Sequence, residues 1–560
     1  MSRMDDLDAR WRQLSEEVIT GMKEWRMQHP KATFTEIESA LDERLGRFRA
    51  RVLEDAALAS RAADWSEAEA RDRPACPQCG THLEARGPQS RELVTHHNHT
   101  LYLHRRYAVC PKCEMGLFPL DWELQLLPGH LTPALEESLV HLAAWMPFEK
   151  AVKELHHFTG VTVSEPTVRR DAQAAGAAYV DVQAKEVERI EQTLPPAPEG
   201  PPVQLLSVDG AMVPLVHGAW AEVKTLALGT VQPPVRDAQR GELVVHTTDL
   251  SYFSRLADAA TFGCLALVET HRRGTETAKQ VCAVTDGAEW EQGFVDLPRR
   301  DAVRILDFGH AGEYVAAGGQ AVLGEGTDAF KEWLKETLHE LKRGQPDTVL
   351  NTLRDMHTEM SAHGAESEAA AATIQKSVAY LEKRRAHIDY ARFQALGYPI
   401  GSGSVESANK LVVEARLKGS GMPWVEPHVD PMLALRNIAC SDRWEEAWPQ
   451  ITQCLRQQTR AGQVRRHQAR QAKQASLTAA TSHALAAAPV TANVSMVETV
   501  QDAPPSLPVA AQTPLSLPPA VVKKPYRPAA NHPWRRSPIG RARYQPSQPA
   551  VLSSVGNTKL

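Results

Sequence analysis

Between residues 203 and 312 the sequence predicts an α/β core, and three observations carry that prediction. Apolar runs follow one another as three meandering strands, a helix, a strand, a helix and a strand, which is the order of an RNase H-like fold. Two of those strands read as ending in Asp-Gly, at Asp209-Gly210 and Asp286-Gly287. A charged helical stretch over 313–394 then separates this first part of the core from a glycine-framed acidic part at 395–440, as a helical insertion would.

The whole chain has 560 residues, too many for one hydrophobic core at ~100–200 residues per domain. Its 42% hydrophobic content is ordinary for a globular protein. No apolar run reaches about eighteen residues, so no membrane span is expected. The polar start MSRMDDLDARWRQ lacks the apolar segment of a secretory signal, and a cytoplasmic protein is the expectation. The net charge of −5 argues neither for nor against nucleic acid, because basic residues are concentrated at 460–473 and in the far tail.

Residues 1–70 read as a helical module. Trp11, Leu14, Val18, Met22 and Trp25 recur at helical intervals, and Thr33 with Glu36 has the capping-box pattern that opens a second helix. Over 71–120, Cys76-Pro77-Gln78-Cys79 and Cys110-Pro111-Lys112-Cys113 form two C-x-x-C knuckles. Each presents two thiolates to one tetrahedral zinc, and the pair completes a closed structural Zn2+ site. The strand-rich interval 93–109 reads as the hairpin of a zinc ribbon. His96, His97, His99 and His104 stand as alternative ligands, with strand or surface histidines the simpler reading, and Arg105 and Arg106 offer a DNA contact. Over 125–193, a helix ending near Thr159-Gly160 and a second one from Ser164 give a helix-turn-helix outline that exposes Arg169 and Arg170 to DNA. A plain helical hairpin fits the same pattern.

A proline-rich hinge, LPPAPEGPP at 194–202, precedes the core. Its strands are expected at 203–210, 220–231 and 242–248, followed by a helical stretch over 252–280 and strands ending at Asp286 and Asp307. A basic helical segment is expected at 441–474 and a disordered Pro/Ala-rich tail at 475–560.

Chemistry is expected where carboxylates meet. Glu406 lies in the stretch 398–424, between the turns Gly401-Ser402-Gly403 and Gly419-Ser420-Gly421, on a helix whose buried face is Val405, Leu411, Val412 and Ala415. Asp209, Asp286 and Glu406 together make an oxygen-ligand set suited to Mg2+ or Mn2+ and to in-line phosphodiester chemistry. Lys410, Arg416 and Lys418, spaced beside Glu406, are candidates for holding phosphates.

The blocks SVDG at 207–210, TDGAEW at 285–290, LDFGH at 306–310, GSGSVESANK at 401–410 and RLKGSGMPW at 416–424 resemble the DDE transposases of bacterial insertion sequences. The similarity is greatest to the ISKra family, and extends to ISL-type and Mutator-like groups. It covers residues from about 70 to 440. The resemblance implies that Asp209, Asp286 and Glu406 are the catalytic, metal-binding triad, with His310 in a supporting role. Asp307 competes with Asp286 for the second position. It further implies cleavage at the ends of an element and joining of the freed 3′-OH to target DNA. The expected partner is double-stranded DNA, both terminal inverted repeats and target, with the chain acting on it as a homodimer or higher oligomer, associated with the nucleoid. Pro423, where relatives carry a basic residue, and the long tail depart from the pattern. A nuclease of the same fold that cuts without joining, and a non-catalytic DNA-binding regulator, are the competing readings.

Overall fold

In the computed structural model of the chain, the N-terminal stripe folds as α1 (Arg3–Gln28) and packs on α2 (Phe34–Leu58). Thr33 caps α2 through a reciprocal pair: its hydroxyl accepts from the Glu36 N–H, and Glu36 accepts from the Thr33 N–H at 2.7 Å. The structure describes residues 3–236, 243–363, 367–419 and 422–486, so Glu242, Ser420, Gly421 and the tail beyond Ala486 lie outside the described residues. Residues 1–483 form one compact unit, and of a second unit, 484–560, only the first three residues are described.

β1 (Glu84–Thr95) and β2 (His99–Val109) form an antiparallel hairpin, with the short β3 (Gly116–Leu117) added to β2. Leu93, Leu101 and Leu103 on this hairpin bury against Ala50 of α2. After α3 (Pro119–Glu123) come α4 (Pro133–Trp145), α5 (Phe148–Thr159) and α6 (Glu165–Thr193). Gly160, at φ 69°, closes α5 in the left-handed conformation that glycine adopts without strain, and Ser164 caps α6. The second helix of the predicted helix-turn-helix is therefore a 29-residue rod.

The core is a five-stranded mixed sheet. β4 (Val203–Pro214) and β5 (Trp220–Val231) pair antiparallel, and two strands of two residues each, β6 (Val235–Arg236) and β7 (Leu243–Val244), pair antiparallel ahead of β8 (Thr247–Arg255). The third long strand thus lies later than the expected 242–248. Tyr252, placed in a helix by its sequence, is a buried strand residue, and α7 spans only Ala259–Arg272. β9 (Gln280–Thr285), α8 (Glu289–Asp296) and β10 (Val303–Leu306) complete the order β10-β9-β4-β5-β8, in which β10, β9 and β4 are parallel.

Alternation along β4 feeds two faces. Leu206 and Val208 pack with Phe262 and Phe294 of α7 and α8. On the other face Leu205 joins the core of the insertion, built from α9 (Phe308–Leu323), α10 (Asp328–Lys342), α11 (Pro346–Ala362), α12 (Glu368–Lys383) and α13 (Tyr390–Ala395). Further along that face, Ala211 and Val213 join a core shared with α4, α5, α6 and the segment after the insertion. Asp209 lies between Leu205 and Ala211 on that face, where the two cores meet.

That later segment is α14 (Gly403–Ala408), a π-helical turn at Asn409–Glu414 and α15 (Ala415–Leu417), followed by α16 (Val429–Cys440) and α17 (Trp444–Ala486). Val405 and Val412 are buried as their periodicity predicts, but Leu411 and Ala415 face outward while Val413, Arg416 and Leu417 turn inward. The π turn accommodates one extra residue and rotates everything after it, so a 3.6-residue count fails there. α16 runs against α6, where the Pro431 carbonyl occupies the space a side chain at Gly176 would need. Among the described residues no helix is long and apolar enough to cross a membrane.

Candidate active site and cysteine cluster

The parallel strands place three aspartates in a row. β4 pairs with β9 as far as Leu206 opposite Ala283, and β10 pairs with β9 as far as Leu306 opposite Thr285. Continued by a few residues, those registers set Asp209, Asp286 and Asp307 side by side. Asp209 does not end its strand, as its sequence suggested: β4 runs on to Pro214 and Asp209 pairs with Thr225 of β5. What ends there is β9, and its termination opens the space into which Asp209 projects.

Each aspartate has fixed partners. Asp209 Oδ1 accepts from the Gly210 N–H at 2.6 Å and Oδ2 from the Asn409 amide at 2.8 Å. Burial raises the Asp209 pKa, the Gly210 N–H opposes this, and Asp286 and Glu406 add to the rise by repulsion. Asp286 Oδ1 accepts from the Ala288 N–H at 2.9 Å. Its backbone is held by the insertion, since the Tyr380 hydroxyl donates to the Asp286 carbonyl and Arg384 donates to the Gly287 carbonyl at 2.6 Å. The Arg384 guanidinium lies 3.7 Å from the Tyr380 ring centroid, which is itself stacked on Tyr314. Asp307 is fully engaged: its two oxygens accept from the N–H groups of His310 and Ser402, both at 2.6 Å. It is a tie between α9 and the loop before Glu406, and this separates it from Asp286.

Glu406, exposed in the first turn of α14, accepts from the Ser402 hydroxyl at 3.0 Å. It lines one cleft of about 270 Å³ with Asp209, Asp286, Asp307 and His310. His310 lies 3.4 Å from Glu313 and meets the rings of Tyr314 and Tyr380 edge-on.

The tight cluster is a different one from the expected triad. Carboxylate oxygens of Asp209, Asp286 and Glu291 all lie within 4.8 Å of one another, and Glu406 stands outside that group. Glu291, only 1% exposed, lies in the first turn of α8, and its Oε2 accepts from the N–H groups of Gly287 and Ala288 at 3.0 and 3.1 Å. Burial first, then a hydrogen bond to Asp286 and the charge of Asp286, pushes its pKa up to about 9. Its sequence signal, a glutamate near a helix start, is one that caps share.

Hard oxygen donors crowded in this way, partly cut off from water, are held together either by a shared proton, as in the Glu291–Asp286 hydrogen bond, or by a divalent cation of the Mg2+ or Mn2+ type. The donor set fits such an ion. Asn409, 6% exposed, donates its amide N–H to Asp209, and its Oδ1 has no hydrogen-bond partner.

Of the basic residues, Arg169 and Lys410 are exposed, Arg170 is exposed and paired with Asp171 at 2.9 Å, and Lys418 is paired with Glu414 at 2.7 Å. Arg416 is not a surface group. The π turn points it into the core at 1% exposure, where its Nε donates to the Ala143 carbonyl and its guanidinium sits over Phe148 and Trp424. Arg105 is engaged by Asp121 in a partly buried pair, and Arg106 is paired with Asp64 at the surface.

The four knuckle cysteines converge. Cys76 and Cys113 sulfurs lie 3.6 Å apart and those of Cys79 and Cys110 3.4 Å apart, and all four fall within 4.8 Å of one another. The knuckles share one turn: Gly80 donates to the Cys76 carbonyl and Glu114 to that of Cys110, each in the left-handed region. Four thiolates at such spacing can hold zinc, and among the described residues His96, His97, His99 and His104 do not join the group. Comparison with protein-family models and with curated proteins gives no match.

Proposed function

We propose that the chain is a DDE-type DNA transposase of RNase H-like fold, which cuts the ends of a DNA element and joins the freed 3′-OH to target DNA. One observation carries this reading: Asp209 and Asp286, from adjacent parallel strands, share a small polar cleft with Glu406 and His310. Asp209 and Asp286, with Glu406 at the rim, would hold Mg2+ or Mn2+, which supplies electrophilic activation of the phosphodiester and offsets charge on the attacking and leaving oxygens. The protein's own part is preorganisation. Asn409 orients Asp209, Ser402 orients Glu406, and Tyr380 with Arg384 fixes the backbone at Asp286. His310 faces the cleft and is the group available to a phosphate or leaving oxygen.

Exposed Lys410 and Arg169 offer phosphate contacts, and the four-cysteine ribbon with α4–α6 would read the terminal inverted repeats. Joining two DNA ends asks for at least two copies of the chain. The test is incubation of full-length protein with terminal-repeat DNA and Mg2+, comparing wild type with Asp209→Asn and Glu406→Gln. Cleavage and strand joining by wild type alone are expected. Cleavage without joining makes the chain a nuclease, binding alone makes it a regulator, and cleavage surviving both substitutions removes the site.

A further inference from the structure

We infer that Glu291 and Asn409 belong to the cation site, so that an ion bound without DNA is held by Asp209, Asp286, Glu291 and Asn409 while Glu406 stays at the rim. The inference rests on the proposed divalent-cation site and extends its ligand set. Three placements support it. Glu291 is the third carboxylate of the only tight acidic group among the described residues, and Glu406 is not in that group. Helix capping accounts for Glu291 Oε2, which the Gly287 and Ala288 N–H groups occupy, and a hydrogen bond accounts for its approach to Asp286, but neither gives a reason for the approach to Asp209.

Asn409 is the independent sign. Its amide nitrogen donates to Asp209 at 2.8 Å, which places this buried side chain at the cluster, and its Oδ1 has no partner. Leaving a buried carbonyl-type oxygen unpaired is unfavourable. On a side chain that already touches Asp209, a hard cation is a partner such an oxygen can take, since neutral amide and anionic carboxylate oxygens are usual mixed ligands. Glu406, by contrast, is exposed and tied to Ser402 on α14.

The experiment is Mn2+ binding to the full-length, zinc-loaded chain without DNA, read from the electron paramagnetic resonance of free Mn2+. Asp209→Asn and Glu291→Gln should each weaken binding at least about tenfold, and Asn409→Ala severalfold, with Glu406→Gln close to wild type. Glutamine keeps the acceptor for Gly287 and Ala288, so the variant should fold, with an unchanged or higher melting temperature in the absence of cation. If it does not fold, Glu291→Asp is read in its place: weakened binding supports the assignment and wild-type affinity overturns it. Wild-type affinity in Glu291→Gln, with loss in Asp209→Asn, removes Glu291 and leaves the proposed function standing. Wild-type affinity in Asp209→Asn as well removes the cation site itself. A loss in Glu406→Gln as large as that in Glu291→Gln overturns the rim position of Glu406.

Discussion

The Ser402 N–H donates to Asp307 Oδ1 at 2.6 Å, while the other oxygen of Asp307 accepts from His310. One carboxylate thus fixes both the start of α9 and the loop that presents Glu406. Asp307→Ala leaves two backbone donors without partners and should cost about 1–3 kcal/mol in urea denaturation. DNA cleavage should fall further than that loss explains, because Glu406 is no longer held. Asp307→Asn keeps one acceptor and should fall between. Wild-type stability in the alanine variant would refute the tie.

Gly287 has φ +84°, and a Cβ there would meet Arg384 Nε at 2.6 Å and Leu306 Cδ1 at 3.0 Å. Gly287→Ala therefore meets left-handed strain of about 1–2 kcal/mol and also displaces the guanidinium that holds its own carbonyl. The expected result is a lower melting temperature and reduced cleavage with unchanged zinc content. Arg384→Ala should reproduce the cleavage loss with a smaller stability change. Equal activity in Arg384→Ala and wild type would show that the insertion does not position Asp286.

These two loops show what sequence could and could not reveal. The apolar runs of β4, β5, β9 and β10, the knuckles and the Thr33 cap announce themselves through composition and short-range spacing. Glu291 does not, since a glutamate in the first turn of a helix is ordinary and only the fold brings it against Asp209, eighty-odd positions earlier in the chain. Arg416 misleads for a different reason. Its outward position follows from regular helical rotation, and the π turn at Asn409–Glu414 breaks that rotation. β8 lies later than its sequence suggests because the interval before it holds the short β6–β7 pair, which reads like a strand of its own.

The cysteine cluster predicts one Zn2+ per chain, countable by elemental analysis. Trp65, Leu83, Met115 and Leu117 pack around Cys76 and Cys110, so this small core depends on the cross-link. Chelation or Cys110→Ser should lower the melting temperature and increase proteolysis within 71–120, while Mn2+ binding at the carboxylates is unchanged. A chain that keeps its melting temperature after complete zinc removal would exclude a structural role.

Glu136, buried on α4 and close to Asp171, has its pKa pushed up from 4.5 to about 8 by burial and then by the Asp171 charge, against a partial offset from Arg170. The folded state therefore holds a proton that the unfolded state releases. The stability this proton represents is complete below pH about 4.5 and is lost as pH rises through about 8. Glu136→Gln should remove that slope, leaving stability near wild type at low pH and raising it on the order of 2–4 kcal/mol at alkaline pH. Parallel pH–stability curves for the two proteins would rule the effect out.

Arg416 provides the sharpest separation between surface and core. Burial, then the neighbouring Arg436, pushes its pKa down to about 10, and two of its nitrogens have no partner. Replacing a buried cation by an apolar side chain of similar length is commonly neutral or stabilising, so Arg416→Met should change stability by no more than about 1 kcal/mol. DNA affinity should stay at the wild-type value. Lys410, exposed and without an ion pair among the described residues, should behave differently: Lys410→Ala weakens DNA binding and lowers the salt slope by about 1. Lys418, already neutralised by Glu414, should give a smaller loss than Lys410. Titrations of the three variants at two salt concentrations decide the matter, and a loss in Arg416→Met equal to that in Lys410→Ala would mean that the α14–α15 segment turns its buried face to DNA.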